Sequence, residues 1–474
     1  MYITLLFDVE DLVTPESDNI VKWLAEILTD EEVEGTFLVV AEKARLLERR
    51  NRIDVLEALR KHDIGSHSNT HSIHPTISEY LENKRWEEGV KEVYRRELPG
   101  FRDLERIFKK KIWCLGRPGG SYAPQLVYVL GKLGKAYVYC PVMLPNHNVA
   151  WFCGALTFAR WFGGFDQTYA DTEKFNEILS RLDRFIKNEH AKGTDWVGIF
   201  CCHPTMVRAY EFWDAINFAK GANPPRERWK RPKMRTGREM EIARRNFRRL
   251  VKFLKENPLV QIRTIKDLLR IYSYQPEYIS MRDLLDIAVK ILERNDILVD
   301  QRFSPAETLV AMAASILLYD SAGKLPEKVK RRDVIGPVET PLEKPEASYI
   351  SWKDLVDISE RIINHVNDKG YLPANVSLSN GKAGISSIYF AFAETLLNVK
   401  TGDIPNRIRL KPSNPYPSIA KEIEAQVRKT LSGWIIHKPD LNQEKIVEYT
   451  KLQTWTLKPA FEAKKQLFRA EEIS

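Results

Sequence analysis

Short apolar runs alternate with longer stretches of helical apolar spacing from residue 2 to about residue 271. Six runs are strand candidates, at residues 2–7, 35–40, 112–115, 136–140, 196–202 and 260–263. The clearest helical stretches lie between them, at residues 19–28, 52–61 and 172–189. This alternation predicts a mostly parallel sheet, and near-continuous apolar strands predict that both of its faces are covered. We therefore expect an α/β fold whose sheet closes into a (β/α) barrel.

The strand pattern ends near residue 276, where an internal duplication begins. YISMRDLLDI from Tyr278 recurs as YISWKDLVDI from Tyr349, and Gly-x-(Leu/Ile)-Pro-x-x-(Val/Ile) starts at Gly323, Gly370 and Gly402. Glycine after a helical stretch, with proline beyond it, is a typical helix stop. The repeats predict a barrel over residues 1–275, an all-helical repeat domain over 276–414 and a helical C-terminal tail over 415–474. We expect the helical part to be separable from the barrel's chemistry.

Composition excludes several classes of protein. The chain has 474 residues, of which 43% are hydrophobic and 29% charged, so it is neither collagen-like nor wholly disordered. Its five cysteines are odd in number and form no CxxC pair, which argues against a disulfide framework. The N-terminal apolar run has no Lys or Arg before it and is interrupted by Asp8, so it does not match a secretory signal peptide. No apolar stretch is long enough for a membrane span. As given, the sequence predicts a cytoplasmic protein, unless a leader is missing from it.

The net charge of +9 comes from one segment. Residues 226–255 contain 13 Lys/Arg and 3 Glu, a local charge of +10, so the remaining residues sum to about −1. One interpretation is a solvated barrel helix that follows an exposed loop. The other is a site for an anionic partner, such as an acidic glycan, a membrane surface or a nucleic acid. No nucleic-acid motif accompanies the segment, so we do not expect nucleic-acid binding.

Three polar clusters are candidates for the ends of strands, although the second follows DIGS, which is not one of the six apolar runs. The carboxyl ends of barrel strands are where active sites lie. The first is FDVED, in which Asp8 and Glu10 point the same way if the strand continues. Alternatively, the cluster is only a polar loop that caps a helix. The second is HSNTH, where two imidazoles four residues apart share one face of a helical turn and can bind one metal ion. The third is FCCHP, in which His203 stands at the end of an apolar run. Alternatively, His203 is a core or capping histidine.

In this order, the clusters resemble the polysaccharide deacetylases, carbohydrate esterase family 4 (the NodB homology domain). FDVED stands at the family's TFDD motif, HSNTH matches H-(S/T)-x-x-H, and FCCHP is similar to the last histidine motif. GTFLV from Gly35 resembles the second-strand motif, and CLGRPGGS from Cys114 resembles the R-x-P-x-G loop. The resemblance covers about residues 1–272. It implies an irregular (β/α) barrel of about seven strands and metal-dependent removal of an N- or O-acetyl group from a glycan.

Carried over residue by residue, the resemblance implies roles for seven side chains. One divalent ion, zinc first, with cobalt, nickel or manganese also compatible, is held by His67, His71 and Glu10, with Asp11 as the second choice of carboxylate. The general base is Asp8, the general acid is His203, and the residue that orients the base is Arg117. Two positions depart from the family pattern: Val9 separates the acidic pair, and Arg117 directly precedes Pro118. Asp166 and Asp171 are the candidate carboxylate partners of His203.

The repeat domain faintly resembles pseudomurein-binding repeats, which implies contact with a cell-wall glycan. Alternatively, it packs on the barrel or mediates oligomerisation. The leading prediction for the whole chain is a metal-dependent deacetylase that acts on an N-acetylated glycan. Two alternatives stay open: a barrel amidohydrolase that acts on a small C–N substrate, and a catalytically inactive protein that binds a glycan or a cell wall.

Overall fold

A computed structural model describes residues 1–159, 162–163, 165–193 and 196–463. Among these residues, the barrel part has nine strands, which are β1 (Tyr2–Val9), β2 (Thr36–Val39), β3 (Asp63–Ser66), β4 (Cys114–Gly116), β5 (Ala136–Cys140), β6 (Val149–Phe152), β7 (Ala155–Ala159), β8 (Gly198–Cys202) and β9 (Gln261–Ile262). Its helices are α1 (Glu16–Asp30), α2 (Ala41–Arg49), α3 (Ile53–Arg60), α4 (Ile77–Leu81), α5 (Trp86–Phe108), α6 (Pro124–Lys132), α7 (Thr172–Lys192), α8 (Pro204–Arg208), α9 (Trp213–Asn217), α10 (Gly237–Glu256) and α11 (Ile265–Tyr272).

The repeat region follows, and its elements are β10 (Tyr278–Ser280), α12 (Met281–Arg294), α13 (Pro305–Ala322), β11 (Lys328–Lys330), β12 (Tyr349–Ile350), α14 (Trp352–Lys369), β13 (Asn375–Leu378), β14 (Gly381–Gly384), α15 (Ile385–Lys400) and β15 (Ile408–Arg409). Each copy runs from a short strand through two helices to a second strand that pairs with the first, as β10–β11 and β12–β15. Gly323 and Gly370 end helices in the left-handed conformation, as the sequence predicts. A helical region after the barrel is confirmed. It is not all-helical, because its described residues also form three short antiparallel strand pairs, and the predicted domain boundaries stay a prediction.

The C-terminal segment contains α16 (Ala420–Ser432), α17 (Glu444–Gln453) and β16 (Lys458–Pro459). Residues 464–474 of the predicted tail lie outside the described residues. Leu431 and Val447 belong to the same apolar core as the barrel helices, and β16 pairs with β6 of the barrel sheet. This packing argues against the expectation that everything after residue 276 is separable from the barrel.

The main sheet has ten strands in the order β16-β6-β7-β5-β4-β3-β2-β1-β8, with β9 beside β1. Seven of them, β1 to β5 with β7 and β8, form a curved parallel array, and β6 pairs antiparallel with β7. A parallel bridge between Phe162 and Phe200 brings the chain beyond β7 next to β8. The α/β class and the irregular barrel are therefore confirmed, with the carboxyl ends of the parallel strands at one rim.

A buried ion cluster joins the repeat region to the barrel sheet. Both carboxylate oxygens of Glu307, on α13, lie 2.8 Å from Lys458 Nζ on β16. Arg331 donates to the same carboxylate over 2.7 Å. Burial raises the pKa of Glu307, but Lys458 and Arg331 outweigh this effect and hold it below its usual range. The repeat region and the barrel sheet are thus connected by buried ion pairs, in which the charge of Glu307 stabilises the charges of Lys458 and Arg331.

Several basic side chains of residues 226–255 are neutralised by acidic groups elsewhere on the barrel. Arg226 pairs with Glu42, Arg231 with Glu16, and Arg248 with both Asp30 and Glu31. The apolar face of α10 is buried against the barrel. These contacts favour the interpretation of a packed barrel helix, and the anionic partner stays a prediction.

None of the described helices combines the length and the apolar character that crossing a bilayer requires. All five cysteines lie in the described part of the chain, and none of them forms a disulfide there.

Candidate active site

A cavity of about 730 Å³ opens at the carboxyl-end rim of the parallel strands. It collects side chains from the first, second and third sequence clusters. Among the groups that line it are Asp8, Glu10, His67, His71 and His203. Since these residues are up to 195 positions apart in the chain, the barrel topology is what brings the three clusters together.

One acidic and two imidazole side chains converge at the cavity floor. Glu10 Oε2 lies 3.4 Å from His67 Nε2 and 3.0 Å from His71 Nε2. All three residues are buried, and their ligand atoms lie within 4.8 Å of one another. Burial raises the pKa of Glu10, but the imidazoles outweigh this effect and hold it well below its usual range. The trio therefore presents an ionised carboxylate beside two imidazole nitrogens.

The outer nitrogen of each imidazole has its own partner. His67 Nδ1 lies 3.0 Å from the carbonyl oxygen of Gly116, which only accepts hydrogen bonds, so Nδ1 carries the proton. His71 Nδ1 lies 2.5 Å from Ser72 Oγ, and this hydroxyl donates to Asp214 Oδ2 over 2.7 Å. Ser72 Oγ then accepts from His71 Nδ1. Nε2 is therefore the atom of each ring that faces the cavity and Glu10. Burial lowers the pKa of His71, but Glu10 and Asp214 outweigh this effect and raise it, so His71 must give up its Nε2 proton when it binds a metal ion.

The local structure of HSNTH differs from the predicted helical turn. The segment is a loop between β3 and α4, and both Ser68 and His71 have positive φ, at 69° and 53°. The Asn69 backbone N–H donates to Glu97 over 2.8 Å, and its side chain donates to the carbonyl of Arg96. These contacts with α5 replace the hydrogen bonds of a helix. The expectation that both imidazoles face one site nevertheless holds.

Glu10 and Asp11 have different neighbours, and which of them ligates a metal ion stays a prediction. Asp11 Oδ1 accepts from the backbone N–H groups of Val13 and Thr14, at 2.8 and 2.9 Å. Its Oδ2 accepts from Thr205 Oγ1 over 3.0 Å. Asp11 therefore holds the loop after β1 and ties it to the loop that carries His203, while Glu10 faces the imidazoles.

Asp8 lies between the two histidine groups. Its Oδ2 is 3.7 Å from His67 Nε2 and 3.3 Å from His203 Nε2. Its Oδ1 accepts from the Tyr139 hydroxyl over 3.2 Å. Burial raises the pKa of Asp8, yet His67 and His203 outweigh this effect and lower it. The carboxylate is thus held ionised at the entrance to the Glu10–His67–His71 trio.

His203 has a carboxylate on its far side. Its Nδ1 lies 2.7 Å from Asp166 Oδ2, and its backbone N–H donates to Asp166 Oδ1 over 2.9 Å. Burial lowers the pKa of His203, but Cys201 and Asp166 outweigh this effect and hold it well above its usual range. The other candidate partner, Asp171, instead caps the N-terminus of α7.

Arg117 lines the cavity, and its guanidinium donates to the backbone carbonyls of Tyr139 and Gly119. It thus supports the segment that carries Tyr139, whose hydroxyl binds Asp8. The role of Arg117 in orienting Asp8 stays a prediction. Tyr139, which contacts both residues, is the route by which Arg117 can act on Asp8.

No known protein-family profile matches this chain, and no curated protein does. Solved structures with partial similarity include a carbohydrate esterase family 4 pseudoenzyme from Bacillus anthracis, with 14% identity over 56% of this chain and 65% of that one, at a TM-score of 0.31. A Mycobacterium smegmatis protein described as a polysaccharide deacetylase has 15% identity over 57% and 88%, at 0.36. An allantoinase has 11% identity over 57% and 89%, at 0.37.

These similarities are weak, and they assign neither a family nor an activity to this chain. The resemblance of residues 276–414 to pseudomurein-binding repeats also stays a prediction.

One side of this cavity is formed by the C-terminal segment, which the sequence did not predict. Lys429, Thr430, Gly433, Trp434 and Ile435 all line it. The Trp434 ring lies edge-on to His71, with 5.8 Å between ring centroids. A Cβ atom on Gly119 or Gly120 would collide with Trp434, so the two glycines allow the indole to approach. No sequence signal links residue 434 to the three motifs.

Proposed function

We propose that this chain is a metal-dependent hydrolase that removes acetyl groups from an N-acetylated glycan. The observation that carries the proposal is the position of Asp8. This carboxylate lies between the Glu10–His67–His71 trio and the His203–Asp166 pair, within 3.7 Å of a nitrogen from each. One cavity thus holds a candidate general base (Asp8), a candidate general acid (His203) and a candidate set of metal ligands (Glu10, His67 and His71).

The trio fits a divalent metal ion. Two imidazole Nε2 atoms and one ionised carboxylate form a three-ligand set that is typical of catalytic zinc sites, and the imidazoles ligate in their neutral form. The Gly116 carbonyl and the Ser72–Asp214 pair fix both rings from behind, which is the support that metal-ligating histidines need. When bound, the ion polarises the acetyl carbonyl and lowers the pKa of water.

Asp8 and His203 supply the proton transfers. Asp8 is ionised, so its carboxylate accepts the proton of the attacking water. His203 keeps its proton because its pKa is raised, and Nε2 gives that proton to the departing amine nitrogen. Asp166 stabilises the imidazolium before this step and fixes Nε2 toward the cavity. The amine then leaves as a neutral group and the acetyl group leaves as acetic acid, which ionises to acetate in solution. Asp8 releases the water proton and His203 regains one, so the net reaction is amide plus water to amine plus acid.

The shape of the cavity supports a sugar as the substrate. It is open at the rim, and Trp434 and Phe212 contribute aromatic surface beside the acidic floor. Aromatic rings offer apolar faces on which pyranose rings pack. The resemblance of FDVED, HSNTH and FCCHP to the polysaccharide deacetylases supports an acetylated glycan over other amides.

The test is acetate release by the purified full-length protein after zinc reconstitution. Three substrates are compared at equal concentration: an oligomer of N-acetylhexosamine, an O-acetylated sugar and a small ureide. We expect acetate release from the N-acetylated oligomer, and we expect this release to be lost when the metal is removed. The ureide carries no acetyl group, so its turnover is followed as loss of the ureide itself. Turnover of the ureide alone would identify a small-substrate amidohydrolase instead.

His67→Ala/His71→Ala is the matched negative variant, because it removes both imidazole ligands. We expect it to lose the bound metal and acetate release together. A wild-type protein that binds metal and oligomer but releases no acetate would be a glycan-binding protein, and the proposal would be wrong.

A further inference from the structure

The loop that carries His67 and His71 has an unusual backbone. Ser68 and His71 both have positive φ, at 69° and 53°. Residues other than glycine hold this conformation where contacts in the folded chain impose it. A helix would fix two imidazoles four residues apart through its own hydrogen bonds, whereas this loop has no such ladder. The spacing of the two rings is therefore set from outside the loop.

Asn69 lies midway between the two histidines, and each of its polar groups has a partner on α2 or α5. Its backbone N–H donates to Glu97 Oε2 over 2.8 Å, and its backbone carbonyl accepts from the Glu42 N–H over 3.0 Å. Its side-chain amide donates to the carbonyl of Arg96 over 2.8 Å and accepts from Arg45 Nη2 over 2.9 Å. Asn69 is thus fixed at both its backbone and its side chain.

Glu97 is the buried side of this anchor. It is 5% exposed, and its second oxygen, Oε1, accepts from the Tyr80 hydroxyl over 3.1 Å. Burying a carboxylate costs free energy unless hydrogen bonds compensate for the lost water, and here both oxygens have partners. One helical turn further along α5, a Cβ atom on Gly100 would lie only 3.2 Å from Asn69 Cα. The glycine lets the loop pack directly on the helix, within reach of Glu97.

We propose that Glu97 and Asn69 are positioning residues of the Glu10–His67–His71 site, which hold the loop in the conformation that turns both imidazoles toward Glu10. Neither residue lines the cavity, so each acts through the loop. Without the anchor, the loop spends part of its time in other conformations. The apparent metal affinity then falls in proportion to the fraction of molecules that is ready to bind. The inference rests on the metal site of the proposed function and not on its substrate.

The experiment measures the zinc dissociation constant of the metal-depleted full chain, by competition with a chromophoric chelator, and the visible spectrum of the Co²⁺-loaded chain. Glu97→Ala removes the acceptor of the Asn69 N–H. We expect zinc affinity to fall about 10–100-fold and the Co²⁺ bands to shift. Asn69→Ala, which removes the contacts with Arg96 and Arg45, should act in the same direction. Glu97→Gln keeps an acceptor oxygen and can donate to the Tyr80 hydroxyl, so it should stay close to the wild type.

Glu307→Gln is the control for lost stability, because it breaks a buried ion pair outside the cavity. It should bind zinc as the wild type does. Unchanged zinc affinity in folded Glu97→Ala and Asn69→Ala would overturn the proposal, and so would an equal loss in Glu307→Gln. If Glu97→Ala does not fold, Asn69→Ala decides. A wild type that binds zinc, with these effects in the variants but without acetate release, would contradict the proposed deacetylation and support the positioning role.

Discussion

Asp166 contacts His203 twice, once at the ring and once at the backbone. Its Oδ2 lies 2.7 Å from His203 Nδ1, and its Oδ1 accepts the backbone N–H over 2.9 Å. The double contact fixes both the position of the residue and the rotation of its ring. It also stabilises the protonated imidazole, which is the form a general acid must have.

Asp166→Asn should shift the pH profile of acetate release. A group whose pKa is raised stays protonated as the pH rises, so the alkaline limb of a bell-shaped kcat profile should lie above the usual imidazole pKa of about 6.5. Removing the carboxylate lowers the pKa of His203, and the alkaline limb should move down by about one pH unit or more. The measurement is kcat against pH for both proteins.

Asp171→Asn is the matched control, because Asp171 is a nearby carboxylate that caps α7 and does not hold His203. Its profile should overlay the wild-type one. If Asp166→Asn leaves the alkaline limb in place, that limb does not report His203.

Trp434→Ala should weaken binding of the oligomer more than it slows the chemistry. The indole forms a wall of the cavity beside His71 and the Gly119–Gly120 turn. We expect KM to rise about tenfold, or about 1.4 kcal/mol, with kcat much less affected. Trp434→Phe should recover part of the loss. Trp352→Ala, in the repeat region, is the control and should leave KM unchanged; equal effects of both variants would exclude a binding role for Trp434.

Glu307→Gln should destabilise the whole chain. It leaves Lys458 buried without a carboxylate, while Arg331 keeps its pair with Asp333, and breaking a buried pair costs about 3–5 kcal/mol. Because the pKa of Glu307 is lowered on folding, this stabilisation is present above the unfolded-state pKa of about 4.3 and is lost as the pH falls toward the folded-state value. Urea unfolding of both proteins at several pH values measures the difference, which should shrink at acidic pH.

The control for that measurement is Glu48→Gln. Glu48 pairs with Arg106 on the surface, where such a pair contributes about 0–1 kcal/mol. Equal losses of stability in Glu307→Gln and Glu48→Gln would mean that the buried Glu307 cluster contributes no more to stability than a surface ion pair.

The sequence was sufficient for the parts of the site that depend on strand ends. Asp8, Glu10 and His203 follow long apolar strands, so their meeting at one rim follows from parallel pairing of β1 and β8. β3 was missed because its sequence, Asp-Ile-Gly-Ser, has one large apolar side chain. Gly65 is required there since a Cβ atom would collide with Leu38 and Cys114, which no local pattern reveals.

The remaining parts depend on contacts between distant segments. Trp434 reaches the cavity because α16 and α17 pack into the barrel core, and this packing is set by apolar residues that look like any amphipathic helix. Asp166 and Asp171 are five residues apart and equally plausible in the sequence, and only the fold separates a partner of His203 from a helix cap. The loop geometry of HSNTH likewise follows from contacts with α5.

The most direct test of the central claim is a parallel measurement of bound metal and acetate release in Asp8→Asn. Asparagine preserves the shape of Asp8 but cannot accept the water proton, and the Glu10–His67–His71 trio is unchanged. We expect Asp8→Asn to bind one equivalent of zinc, as the wild type does at stoichiometric metal, with kcat reduced by about 10²–10⁴-fold. An Asp8→Asn protein with full metal content and wild-type acetate release would contradict this expectation.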